Sequence, residues 1–193
     1  MSGFFLKVLS FYYKKKYLVI LAQNIRKMVS TSKADLFKNI ENSLVHQGFS
    51  IVKRDDTRPW GGFFVIDEDQ AQQFADTFFD GINVKDLMIS GKLSPKILIV
   101  APHTRLSWQY HHRRAEIWQV YRGEVGVVTS ETDVEGEVEE LTPGDVIKLE
   151  KGERHRLLGL KDWGVVAEIW QHTNPEDPSD EDDIVRVQDD FGR

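Results

Sequence analysis

The chain has 193 residues, 40% of them hydrophobic, a net charge of −6 and no cysteine. That length suits one compact domain with modest appendages and excludes two full catalytic domains. The absence of cysteine excludes disulfides and thiolate metal sites, so any metal must be held by nitrogen and oxygen. Residues 1–28 carry Lys7, Lys14, Lys15, Lys16, Arg26 and Lys27 and none of the 31 acidic residues, so the remainder is more acidic than the net charge indicates. Without a basic stripe, such a body disfavours nucleic acid as a partner.

In chain order, the apolar opening is broken by Lys7 and by Lys14 to Lys16 into pieces shorter than the roughly 20 residues a bilayer span requires. A cleaved secretory signal would place its charges before the apolar core and a small-residue cleavage site after it; "YLVILAQNIRK" follows the charges, so an uncleaved signal or a surface anchor is the alternative reading. Residues 1–28 therefore read as an N-terminal extension, with Met28 the expected start of translation, and the protein is expected in the cytoplasm with no membrane insertion. A lead-in follows over 29–83. Ser32 can cap a helix over "KADLFKNIENSLVHQ", where Leu36, Ile40 and Leu44 recur every four residues and Gly48 is a natural stop. "RPWGGFFVI" is a turn into a short strand, and "DEDQAQQFADTFF" a second helix with Ala71, Phe74 and Phe78 on one stripe and Gly81 beyond it.

From residue 84 to 172 the texture changes to short β-rich runs separated by Gly and Pro, from "VKDLMIS" and "KILIVAP" through to "GVVAEIWQ". This predicts an all-β sandwich or barrel. Residues 173–193 form an acidic, Pro-containing tail, and no internal repeat is apparent.

The polar groups concentrate in "SWQYHHRRAEIW", residues 107–118. In an extended strand alternate side chains share a face, so Gln109 and His111 point together and His112 points away. The next strand brings Glu116, with Trp118 and Val120 on its face and Gly123 at the following turn. "PGDVIKLEKGERH" then places His155 after a second Gly turn, where a neighbouring strand delivers it to the same place. Gln109, His111, Glu116 and His155 form a mixed nitrogen and oxygen set suited to zinc, manganese, iron or cobalt. His46, His103, His112 and His172 read as structural.

The spacing Gln109-x-His111, four residues, Glu116, six residues, Gly123 resembles the first motif of the cupins, with Gln109 replacing the usual first histidine. "PGDVIKLEKGERHRLLG" is similar to their second motif, with Glu150 where proline is common and Gly159 where asparagine is common. "LSWQYHHRRAEIW", "RPWG" and the closing "EDDIVRVQDDFGR" together resemble type II mannose-6-phosphate isomerases over residues 56–193. The resemblance implies a jelly-roll β-barrel with one or two N-terminal helices outside it, and one divalent ion, zinc preferred and nickel also in range, held by Gln109, His111, Glu116 and His155. It also implies interconversion of mannose 6-phosphate and fructose 6-phosphate through an enediolate. No Gly-rich nucleotide loop occurs in these residues, so the chain reads as the isomerase module standing alone.

By the same resemblance Ser107 and Arg114 are expected to bind the phosphate, and the tail to fold back over the barrel with Arg186 or Asp183 near the sugar, whose pocket Trp60 and Trp118 line. Arg105, Arg113, Arg122, Arg154 and Arg156 flank the expected barrel mouth, with Arg113 read as solvated. Lys148, Glu150 and His112 are the candidates for the general base, and the sequence chooses none of them. Pairing of barrels through sheet edges makes a homodimer the expected assembly. The rival readings are an isomerase or epimerase of another sugar or sugar phosphate, and a non-catalytic sugar-binding cupin.

Overall fold

The computed structural model describes residues 32–79, 83 and 92–192. The extension over 1–28, the "VKDLMIS" strand and Gly81 lie outside these residues. The chain divides into two compact units, Met1–Lys38 and Asn39–Arg193. In the first, Ser32 Oγ accepts the Asp35 amide at 3.1 Å and donates to Asp35 Oδ2 at 2.8 Å, which satisfies an otherwise orphaned helix donor. Helix α1, Lys33–His46, starts there and runs into the second unit, where Ile40 and Leu44 are fully buried. Gly48, at φ +89°, turns the chain out of the helix in the left-handed region that favours glycine.

The second unit is built from two antiparallel sheets. One orders its strands β1 (Ile51–Asp55), β2 (Gly61–Ile66), β3 (Lys96–Val100), β10 (Gly164–His172), β5 (Arg114–Arg122) and β8 (Val146–Leu149). The other orders β11 (Val185–Gln188), β4 (Trp108–Tyr110), β9 (Arg154–Gly159), β6 (Val125–Ser130) and β7 (Val138–Leu141). This is a mostly β, cupin-like fold. Helix α2, Ala71–Phe78, lies against the outside of the first sheet: Phe74 and Phe78 pack with Phe49, and the Phe78 ring meets Tyr121 of β5 edge-on at 5.0 Å. Among the described residues no helix is long and apolar enough to cross a membrane.

The turns are specified by glycine where no side chain fits. At Gly123, φ +74°, a Cβ would stand 2.2 Å from the Trp163 carbonyl oxygen. At Gly159, where the resemblance expects asparagine, a Cβ would stand 1.9 Å from the Ala101 carbonyl oxygen, so the strand can approach only as glycine.

Period-two alternation then sorts the interior along the strands. Trp118, Val120, Leu98, Val100, Val166 and Leu157 belong to one apolar cluster between the sheets. Continuing along the same strand faces, β5 offers Glu116 and Arg114, β3 offers Lys96, β10 offers Glu168 and Trp170, and β9 offers His155, all of them buried. One end of the barrel is thus filled with hydrocarbon and the other with charge, which is costly unless each charge is paired or used.

Candidate metal centre and its cavity

His111, Glu116 and His155 are each about 98% buried or more, and their candidate ligand atoms all lie within 4.8 Å of one another. His111 follows the end of β4, Glu116 sits in β5 and His155 in β9, so the group bridges the two sheets.

The hydrogen bonds determine which ring nitrogen faces inward. His111 Nδ1 stands 2.7 Å from the Asp183 carbonyl oxygen, and His155 Nδ1 stands 3.0 Å from that of Glu153. A carbonyl only accepts, so both Nδ1 atoms donate outward and both Nε2 atoms are turned inward. Both Nε2 atoms point at a carboxylate: His111 Nε2 is 3.1 Å from Glu116 Oε1, and His155 Nε2 is 3.4 Å from Glu116 Oε2. His155 Nε2 is buried without a hydrogen-bond partner. Burial pushes the His111 imidazole below its usual range although the Glu116 carboxylate beside it pulls the other way. Burial also opposes ionisation of Glu116, but His111 and Arg114 override it and hold that carboxyl well below the ordinary range. Two imidazole nitrogens and a carboxylate brought this close form a mixed nitrogen and oxygen donor set that fits a divalent ion. His111, Glu116 and His155 could hold it.

Gln109 is the register partner of His155 and lines the adjoining cavity. Its Oε1 accepts the Ser107 hydroxyl at 2.6 Å. The cavity opens to solvent. Its wall brings together Ser107, Gln109, Arg114, Glu116, Trp60, Trp118 and Arg186, and adds Arg58, Lys96, Glu168, Trp170 and Glu181.

Several expectations change. Arg114 lines the cavity, and its donors are engaged within the protein: its Nε donates to Glu116 at 2.7 Å, one terminal nitrogen to Ser179 Oγ and the Asp180 carbonyl, and the other to His111 Nε2 at 3.1 Å. Its guanidinium also stacks 3.7 Å from the Trp170 ring centroid. Most of its donors are committed. Arg105, Arg113, Arg154 and Arg156 pair with Asp190, Asp177 and Asp180, Asp133 and Glu135 respectively, and none of them lines the cavity. Arg113 is therefore tied down rather than solvated. Lys148, Glu150 and His112 are exposed and also absent from its wall.

The acid–base candidate is Glu168, which sequence reasoning missed. It is 5% exposed, accepts the Trp118 indole N–H at 3.0 Å, and stands opposite Lys96 in register. Burial first, then the neighbouring Glu116 carboxylate, pushes it up to about 8, against the opposing pull of Lys96 and Arg114. A signal for it exists: "AEIWQ" occurs at 115–119 and again at 167–171. The two copies pair antiparallel about Ile117 and Ile169, setting Glu168 against Trp118 and Trp170 against Glu116. The symmetry breaks at the side chains. Trp118 serves Glu168, whereas Trp170 Nε1 is buried without a partner, because Glu116 turns to the histidines and Arg114 instead.

Residues 83–189 match the family described as mannose-6-phosphate isomerase C-terminal. The chain belongs to that family. No curated protein matches it. Among solved structures it is similar to KdgF from Halomonas sp., at 14% identity over 64% of this chain and 91% of that one, TM-score 0.45. It is also similar to a cupin 2 conserved barrel domain protein from Salinispora arenicola CNS-205, at 24% identity over 40% and 61%, TM-score 0.35, and to the DMSP lyase DddQ from Ruegeria pomeroyi DSS-3, at 15% identity over 47% and 44%, TM-score 0.38. The chain thus spans less than half the length of that lyase. The family match includes every ligand candidate, Lys96, Glu168 and β11, while Trp60 and Arg58 lie before it.

Proposed function

We propose that this protein is a metal-dependent aldose–ketose isomerase that interconverts mannose 6-phosphate and fructose 6-phosphate. The observation that carries the reading is the pair of imidazole Nε2 atoms converging on Glu116, a residue that itself lines the cavity shared with Glu168 and Lys96. His111, Glu116 and His155, joined by Gln109, would hold a divalent ion. Such an ion would supply Lewis-acid polarisation of a carbonyl and favour negative charge on its oxygen.

The chain's own residues do the rest. Glu168 takes the proton from C2 of the open-chain aldose; the C–H electron pair becomes the C1–C2 double bond and the carbonyl pair moves onto O1. Return of the proton to C1, with transfer of the O2 proton to O1, gives the ketose. The indole N–H of Trp118 fixes one oxygen of Glu168 and leaves the other for this transfer. Lys96, 6% exposed, is a nearly buried cation of the same cavity and favours the developing oxyanion. Ser107, Arg58 and Arg186 hold the phosphate at the open side, where arginine forks match its oxygens. Trp60 packs against the sugar.

The deciding experiment is fructose 6-phosphate formation from mannose 6-phosphate by zinc-loaded protein, run beside a panel of other aldose phosphates and free sugars. Turnover that disappears on chelation and returns with zinc is expected. A panel in which another sugar reacts and mannose 6-phosphate does not reassigns the substrate, and silence throughout leaves a binding module. Ser107→Ala is expected to raise KM roughly tenfold, the effect of losing one hydrogen bond to a charged group, with zinc content unchanged by elemental analysis.

A further inference from the structure

All three ligand side chains precede residue 156, yet two of them are oriented by residues 179–183. The Asp183 carbonyl accepts the His111 Nδ1–H at 2.7 Å and so sets the ring's tautomer and direction. The Asp183 carboxylate, its side chain 3% exposed, accepts the amides of His112 at 3.0 Å and Arg113 at 2.9 Å and the Ser179 hydroxyl at 2.8 Å. One residue thus grips both the ring of His111 and the backbone that follows it. Glu116 is tied to the same segment through Arg114, whose guanidinium spans from Glu116 Oε1 to Ser179 Oγ and the Asp180 carbonyl. Downstream, β11 pairs Arg186 with Gln109 and Val185 with Tyr110.

A carboxylate buried to this degree costs several kcal/mol unless its hydrogen bonds are met. Here they are met by the two peptide groups next to a ligand, the arrangement that fixes ligand direction from outside the coordination shell. We propose that Asp183 is a positioning residue of the metal centre and that ion affinity and docking of the segment 179–188 are thermodynamically linked. The proposal rests on the metal reading given above and not on the identity of the sugar. Linkage is reciprocal, so whatever factor the docked segment adds to ion affinity, the ion returns to the docked segment.

The test uses the full chain, with Zn²⁺ and Co²⁺ as probes. Asp183→Ala is expected to weaken Co²⁺ binding by about 10- to 100-fold and to change the visible absorption of the bound Co²⁺, while Asp183→Asn, which keeps one acceptor oxygen, recovers part of the affinity. In wild-type protein Zn²⁺ is expected to slow hydrogen exchange at the amides of 183–188, an arm that decides the matter even if the alanine variant does not fold. Co²⁺ affinity in Asp183→Ala within about threefold of wild type with the same spectrum, or exchange at 183–188 indifferent to Zn²⁺, overturns the proposal. Wild-type protein that binds the ion but converts no sugar phosphate defeats the isomerase reading and leaves this one standing; wild-type protein that binds no ion defeats this one.

Discussion

Glu116→Ala is expected to abolish stoichiometric metal and to lower turnover of mannose 6-phosphate at least about a hundredfold, the scale on which preorganised stabilisation of an oxyanion acts. Glu116 is the one carboxylate among His111, Glu116 and His155, so its loss leaves no anionic ligand in a set that also includes Gln109, and a divalent ion is bound far more weakly. A second consequence concerns stability. Arg114 and Glu116 are each 2% exposed and joined at 2.7 Å, and removing one partner of a buried pair leaves the other uncompensated, at a cost of about 3–5 kcal/mol. The variant should melt well below wild type even when both are stripped of metal. Elemental analysis, thermal unfolding and the sugar-phosphate assay read the three effects separately. A Glu116→Ala protein that keeps one equivalent of zinc removes Glu116 from the ligand set.

Glu168→Gln is expected to lower kcat by about 10²- to 10⁴-fold, the usual contribution of a positioned acid–base group, with KM and zinc content little changed. Two pH effects accompany it. In wild type, kcat should fall on the acid side as the carboxylate takes up its proton. In metal-free protein the folded-state value lies above the ordinary 4.5. The neutral carboxyl's contribution to stability is then fully present below pH 4.5 and is lost as pH rises towards about 8. Glutamine cannot ionise, so the variant should show a flatter dependence of melting temperature on pH over that window. A kcat within threefold of wild type moves the proton transfer to another residue.

Much of this was legible before any coordinates. Side chains two apart on an extended strand share a face, so Glu116, Trp118 and Val120 of "RAEIWQVYR" fall together, and the turn at Gly152 allows an adjacent strand to bring His155 to them. The family resemblance then supplied what spacing alone leaves open. Glu168 stayed hidden for a physical reason: one acid within "GVVAEIWQ" reads as an outward residue until the register with Trp118 shows that it points between the sheets. Lys96, at the start of "KILIV", looked like any strand-flanking lysine. The engagement of Arg114 stayed out of view because sequence gives its neighbours in the chain but not Ser179 and Asp180, which take up its donors. Arg113 was read as solvated because the aspartates it binds lie more than sixty residues away.

That distance has a temporal side. The carbonyl that aims His111 is synthesised 72 residues after the histidine, and the strand that borders Gln109 comes later still. The hydrogen bonds that orient His111 and Arg114 therefore cannot form until residues 179–183 have been synthesised.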